Sequence, residues 1–389
     1  MKPASQRATA LCRSEIRVLF DAADAYPGVL RLEVGEPSFT TPVHIIEAAA
    51  AAASDGYTGY GPNGGLRSLR ELVADKVRTV NGLAVESEQI VVTPGAMNAL
   101  FSIYLALLDP GDQVLLPTPG FPNMDEMVRL LGGDPVFYRL DAANGFLPQI
   151  EDLEAMMTDR TKVLFINSPS NPTGAVFPTA LMAELVAFAQ AHDLWVLSDE
   201  VYDELILDHH TVHTPAALFD EDGRVLTVYS FSKVYAMTGW RVGYAVVPRR
   251  FATLLRTLQE PQVSCPSTIS QKAAEAALTG PRAPIDAMLA AYRSRAEVAV
   301  NVAAESGLRV VPPDATIYML VDVSTTDVSS FEFSLRLLEQ RGVSVAPGSV
   351  FGPAGEGWVR ISLAADADVI AEGTRRIATA VRDWTGVRA

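Results

Sequence analysis

The order of short apolar runs along this chain constrains its fold more than any other feature. QIVVT (89–93), QVLLP (113–117), TKVLFIN (161–167), LWVLSDE (194–200) and VLTVYS (225–230) are brief, continuous and rich in β-branched residues. Apolar on both faces, each reads as a strand covered on two sides. Between most of them lie stretches with helical spacing, such as MNALFSIYLALL after the first and LMAELVAFAQAHD before the fourth. Upstream, 43–53 and about 66–81 also read as helices. The alanine run IIEAAAAAAS in the first is a good helix former. Neighbouring parallel strands need a crossover, and a helix supplies it. The pattern predicts an α/β fold with a mostly parallel sheet sandwiched by helices.

After about residue 282 the texture changes. A long helical segment over about 285–305 leads to RVVP, TIYMLVDV, a helix over 329–341, WVRISL and a terminal helix from about 365. The division expected is a large domain over 41–285. A smaller α/β domain would be built from the N-terminal segment, 1–40, and the C-terminal third, 286–389. A chain of 389 residues is long enough for both cores.

Charge narrows the function classes. With 31 basic against 46 acidic side chains the formal net charge is −15, which argues against nucleic acid and against anionic membranes. An anionic ligand must be caught by locally placed arginines and backbone amides, against the global field. Cys12 and Cys265 are too few and too far apart for a disulfide framework or a metal site, and read as reduced thiols. The first twenty residues carry Arg13 and Glu15 where a signal peptide needs an apolar stretch, and the longest apolar run, ALFSIYLALL, is half a membrane span. A cytoplasmic protein with no metal is expected.

The stretch SFSKVYAMTGWRVGY, Ser230 to Tyr244, sets Lys233 among small and apolar residues, with Arg241 eight positions on. Apolar burial and a nearby cation both disfavour an ammonium, which suits a lysine that must attack a carbonyl. The arginine offers a planar fork for an anion. Together they suggest an aldehyde cofactor carrying a phosphate. Each candidate alone has a plainer explanation. Lys233 could be a surface lysine, Asp199 the N-cap of a following helix, and Asn171, in SPSNPTG, part of a turn. Arg241 and Arg360 could form structural salt bridges, and TPGAMNAL (93–100) could be only a strand-to-helix turn. Yet Gly95, Asn171, Asp199, Ser230 and Lys233 all fall just after expected strands, where α/β sheets place their ligands.

The ordered set VGEPSFTTP, YGPNGGLRSLRE, TPGAMNAL, PTPGFP, NSPSNPTG, SDEVY, SFSKVYAMTGWRVGY and GEGWVRISLA runs through almost the whole chain. With it the sequence resembles the class I/II pyridoxal-phosphate-dependent aminotransferases, of the aspartate aminotransferase fold (fold type I). The resemblance implies pyridoxal 5'-phosphate held as a Schiff base by Lys233, whose freed amine then moves the substrate Cα proton. It implies that Asp199 pairs with the pyridine nitrogen, that Asn171 and Tyr202 hydrogen-bond the cofactor's phenolic oxygen, and that Phe121 stacks on the ring. The phosphate would rest on the amides of Ala96 and Met97 with Ser230, Ser232 and Arg241, and Tyr60 would reach it from a neighbouring subunit. Arg360 would bind the substrate α-carboxylate, assisted by Gly35 and Asn171. The partners implied are an amino acid, a 2-oxo acid and a second copy in a homodimer with shared active sites.

Other enzymes of the same fold share this chemistry, such as a C–S β-lyase or an ACC-synthase-like enzyme, and no motif separates them from a transaminase. A regulatory module on this fold would carry a DNA-binding extension, and the strongly acidic chain speaks against one. Some relatives acting on acidic substrates have a basic residue near the start of the phosphate-binding helix. Met97 there favours a neutral or aromatic amino donor, with glutamate and 2-oxoglutarate as the exchange pair.

Overall fold

A computed structural model of the chain describes residues 2–11 and 14–385, so the expectation for Cys12 lies outside the described residues. The strands are β1 (Leu30–Arg31), β2 (Ile90–Thr93), β3 (Gln113–Thr118), β4 (Asp134–Arg139), β5 (Thr161–Asn167), β6 (Trp195–Asp199), β7 (Val225–Ser230), β8 (Gly243–Val246), β9 (Val310–Val311), β10 (Tyr318–Asp322), β11 (Val343–Ser344), β12 (Ala346–Pro347) and β13 (Trp358–Ser362). The larger sheet has the order β2-β8-β7-β6-β5-β3-β4. From β4 across to β7 the neighbours are parallel, and β8 runs against both β2 and β7. The sheet is therefore mostly parallel, as the apolar runs require.

All five runs became strands of this sheet, and their alternate side chains serve opposite faces. In β5, Val163 and Phe165 pack with Leu100 and Tyr104 of helix Ala96–Leu107 and with Phe251 and Leu255 of helix Arg249–Val263. Leu164 and Ile166 face Leu153 and the Met182, Leu185 and Val186 side of helix Thr179–Ala191. The sequence reading did not anticipate β4 and β8. DPVFYR is an edge strand with exposed charged ends, so it lacks a two-sided apolar run. GYAV is four residues long and begins on the last two residues of the glycine-framed lysine stretch. Nor does a helix follow Asp199. The chain turns there, which removes the N-cap explanation.

The C-terminal strands form a second, antiparallel sheet in the order β12-β13-β10-β9. Helices Ser330–Arg341, Ala367–Trp384 and Ala283–Glu305 pack with it, Phe333, Ile370, Ile377 and Ala299 sharing one core with Val321, Val359 and Ile361. The N-terminal segment is stitched to these strands. β1 pairs in parallel with β11, the Leu32 N–H donates to the Ser344 carbonyl, and the Ser362 N–H donates to the Leu32 carbonyl. Residues 32–35 are thereby carried to the ends of β5, β6 and β7. Among the described residues no helix is long and apolar enough to cross a membrane.

Candidate active site

A cavity of about 630 Å³ opens beyond the carboxyl ends of β5, β6 and β7. Gly35, Ala96, Met97, Phe121, Asn171, Asp199, Tyr202, Ser230, Ser232, Lys233, Arg241 and Arg360 all line it. Every site residue named from the sequence is brought together except Tyr60, which is 93% exposed on the surface and does not line the cavity in a single protomer.

One wall is an anion cradle. β2 ends at Thr93, and Gly95, with φ +77°, turns the chain into helix Ala96–Leu107. No side chain caps that helix, which leaves its N-terminal dipole and first-turn amides for a ligand. A Cβ at position 95 would also lie 2.5 Å from a terminal nitrogen of Arg241, so any larger residue there would displace the guanidinium. Arg241 itself sits at φ +53°, and its Nη1 donates to the Thr238 carbonyl at 2.8 Å. Ser230, the last residue of β7, accepts the Ser232 N–H on its Oγ at 3.0 Å. A helix start, two hydroxyls and a guanidinium thus converge on one place.

Lys233 follows in the turn after β7, half-buried, and its Nζ donates to the Gly35 carbonyl at 2.6 Å. Asp199, the last residue of β6, is 3% exposed, and its Oδ1 accepts the Val201 N–H at 3.4 Å. Asn167 braces it, donating from Nδ2 to the Asp199 carbonyl at 3.1 Å and accepting the Asn171 N–H on Oδ1 at 2.9 Å. Burial pushes the Asp199 carboxyl up to about 7, and Glu200 adds to this, against the Val201 N–H and Lys233. No cation forms an ion pair with it among the described residues. Apart from that one amide, such a carboxylate lacks a positively charged partner among the described residues.

Arg360, in the middle of β13, is buried and still a cation, burial pulling its pKa below the usual guanidinium value. Its Nη1 donates to Asn171 Oδ1 at 2.9 Å and its Nη2 to the Glu33 carbonyl at 3.0 Å, while Nε is buried with no partner. The guanidinium carbon lies 4.0 Å from the centroid of the Tyr318 ring. Tyr202 donates its hydroxyl proton to the Tyr318 hydroxyl at 3.2 Å. The remaining wall is largely apolar, with Ile16 and Phe20 from helix Glu15–Ala23 facing the cavity alongside Met97 and Phe121. Arg17 lies among them, its guanidinium 5.3 Å from the Phe20 ring.

Sequence reasoning missed Asn167 and Tyr318. Asn167 is a polar residue closing an apolar strand, the same signal that exposed Asp199. Tyr318 lies in TIYMLVD and reads as ordinary core, because what makes it part of the site is contact with Gly35, Tyr202 and Arg360, all distant in sequence.

The donor set fits pyridoxal phosphate. The bare helix start and Arg241 suit a phosphate, the unpaired Asp199 suits a ring nitrogen bearing a proton, and Lys233 suits an aldehyde. Comparison with known proteins agrees. The family described as "Aminotransferase class I and II" matches residues 27–377. The chain is 38% identical to the arginine–pyruvate transaminase of Pseudomonas aeruginosa, over 92% of this chain and 91% of that protein. It is 39% identical to the aspartate aminotransferase of Pyrococcus abyssi, over 95% and 96%. Among solved structures, an aspartate aminotransferase single mutant from Thermus thermophilus superposes with a TM-score of 0.93 at 36% identity, covering 98% of this chain and all of that one.

Proposed function

We propose a function from one premise: this chain belongs to the class I and II aminotransferases. It is a pyridoxal-phosphate-dependent transaminase, which moves an amino group between an L-amino acid and a 2-oxo acid. The convergence of Lys233, Asp199 and Arg360 in one cavity carries the assignment of roles. When bound, pyridoxal phosphate supplies an aldehyde that takes up the amine and a ring that accepts electron density from the substrate Cα.

The chain's own residues do the rest. Lys233 would hold the aldehyde, and its Nζ, once released, would be the base that takes the proton from the substrate Cα. The Gly35 carbonyl keeps that amine inside the cavity. Asp199 keeps a proton on the ring nitrogen. Asn171 has its Oδ1 occupied by Arg360, so its Nδ2 is free to donate to the ring oxygen beside the Tyr202 hydroxyl. Arg360 binds the α-carboxylate, with Gly35 beside it. The amides of Ala96 and Met97, with Ser230, Ser232 and Arg241, hold the phosphate, and Phe121 stacks on the ring.

The apolar wall of Ile16, Phe20, Met97 and Phe121 supports an amino donor with a neutral or aromatic side chain. Glutamate and 2-oxoglutarate form the exchange pair, for which Arg17 is available: among the described residues it makes no ion pair. The enzyme works as a homodimer whose sites are each completed by the partner's Tyr60. The compartment proposed is the cytoplasm, in keeping with the free thiol of Cys265.

The purified protein is expected to be yellow, and borohydride should fix the cofactor to Lys233. Peptide mapping that places the reduced adduct on another lysine, or finds none, rejects the assignment. A panel of amino donors, scored by loss of the yellow band, should favour neutral or aromatic side chains over aspartate, with glutamate also converting as the exchange partner. Across that panel Arg360→Ala should raise KM for every donor and acceptor by about 10²-fold, the scale of a lost buried charge–charge contact. An effect confined to dicarboxylic substrates would show that Arg360 reads side chains instead. Stoichiometric ammonia and 2-oxo acid formed without an acceptor would point to a lyase.

A further inference from the structure

We propose that Tyr318 is a positioning residue for transamination, holding the Tyr202 hydroxyl and the Arg360 guanidinium in register with Lys233. The inference rests on the roles given above to those three residues. Tyr318 opens β10 opposite Ser362 of β13, which makes Arg360, two residues along β13, its diagonal neighbour across the sheet. That register sets the guanidinium carbon over the ring, 4.0 Å from its centroid. The same ring meets Tyr202 edge-on, with centroids 6.0 Å apart.

The hydroxyl distinguishes this residue from a core aromatic. Tyr318 is 2% exposed, and a buried hydroxyl without a partner is destabilising, so phenylalanine would serve a purely structural position at least as well. Here the hydroxyl accepts from Tyr202 at 3.2 Å and donates to the Gly35 carbonyl at 3.3 Å, the oxygen that also receives Lys233 Nζ at 2.6 Å. An unbroken chain runs from Lys233 through Gly35 and Tyr318 to Tyr202. Glycine at 35 makes room for it, because a Cβ there would stand 2.6 Å from the Tyr318 hydroxyl oxygen.

The surrounding charges fix which phenol donates. Burial alone would push Tyr318 up, but Lys233, Arg360 and the Tyr202 hydrogen bond outweigh it and leave Tyr318 below the ordinary phenol value. Burial and Tyr318 hold Tyr202 well above it, with Asp199 adding to this and Arg360 opposing. Beyond them, Glu33 faces Arg360. Tyr202 therefore keeps its proton and shares it between Tyr318 and the ring oxygen it is proposed to meet. Tyr318→Phe removes the competing acceptor. Tyr202 then donates wholly to that oxygen and favours its anionic form, so the bound chromophore gives up its proton at lower pH.

The test is a spectrophotometric pH titration of purified holoenzyme. In Tyr318→Phe the midpoint of the visible band should fall by at least about 0.5 pH unit, with kcat about 10-fold lower. KM should stay within about twofold, because the ring under Arg360 remains. Tyr318→Leu, which loses the ring too, should raise KM for every donor by about fivefold or more. Gly35→Ala, which keeps Tyr318 but displaces its hydroxyl, should lower the midpoint in the same sense, and so covers a failure of Tyr318→Phe to fold. A midpoint unchanged within about 0.2 unit or raised, with kcat within about twofold of wild type, overturns the proposal and leaves Tyr318 a packing residue. A wild-type protein without a titrating visible band would instead reject the cofactor assignment to Lys233, a distinguishable result.

Discussion

Asp199→Ala is expected to retain the fold and lose roughly 10²–10³-fold or more in kcat, the usual scale for removing a preorganised electrostatic partner from a water-excluded site. The expectation rests on an isolated carboxylate, 3% exposed, with no ion pair among the described residues. Without it nothing holds the proton on the ring nitrogen, and a neutral ring is a poor acceptor of electron density. Near-normal kcat in that variant would refute the role. The cofactor-free protein offers a second reading of the same carboxylate. Its folded pKa is raised to about 7 from 3.8, so the folded state disfavours ionisation. The associated stability is present below pH 3.8, declines as pH rises through the window, and is lost above about 7. Apo Asp199→Asn should therefore gain stability over apo wild type between pH 5 and pH 8, by on the order of a few kcal/mol. Urea unfolding that shows the same difference at both pH values would contradict that environment.

How much of this was legible in the sequence depends on whether the determinant is local. The strand runs, the polar residues closing them and the lysine stretch each carry their signal within a few neighbouring positions, and each lands in the cavity. Asp199 and Ser230 are the last residues of β6 and β7, which sets their side chains at that sheet edge. Contacts between distant segments leave no such mark. Gly35 was legible as a motif glycine, but the physical demand on it comes from the Tyr318 hydroxyl, 283 residues away. The Asn171–Arg360 bond, spanning 189 residues, depends on the register of β13 against β10 and on the turn after β5. Arg17 and Phe20 belong to a helix whose amphipathic pattern says only that one face is covered, and the fold decides that part of that face meets the cavity.

Tyr60, the one proposed site residue that lies away from the cavity, gives the second large effect expected. Its phenol is 93% exposed, and Val43 at 66%, Ile46 at 45% and Tyr57 at 41% lie in the same stretch of chain, apolar surface that favours cover by another protein surface. The proposed occupant is a second copy, with each Tyr60 reaching the phosphate held by the partner's Arg241. Cofactor binding and dimerisation would then reinforce one another. Lys233→Ala and Tyr60→Glu should each be inactive alone, the first lacking the amine and the second setting a negative charge against the phosphate. Mixed and allowed to exchange subunits, they should recover activity. In a hybrid dimer both defects fall in one pocket and the other pocket is intact. With random exchange about half the dimers are hybrids, each with one working site of two, so recovery should approach about a quarter of wild type. If Tyr60 instead serves its own subunit, each pocket of the hybrid keeps one defect and the mixture stays inactive. Silence from hybrids whose composition is verified by mass would reject the shared site.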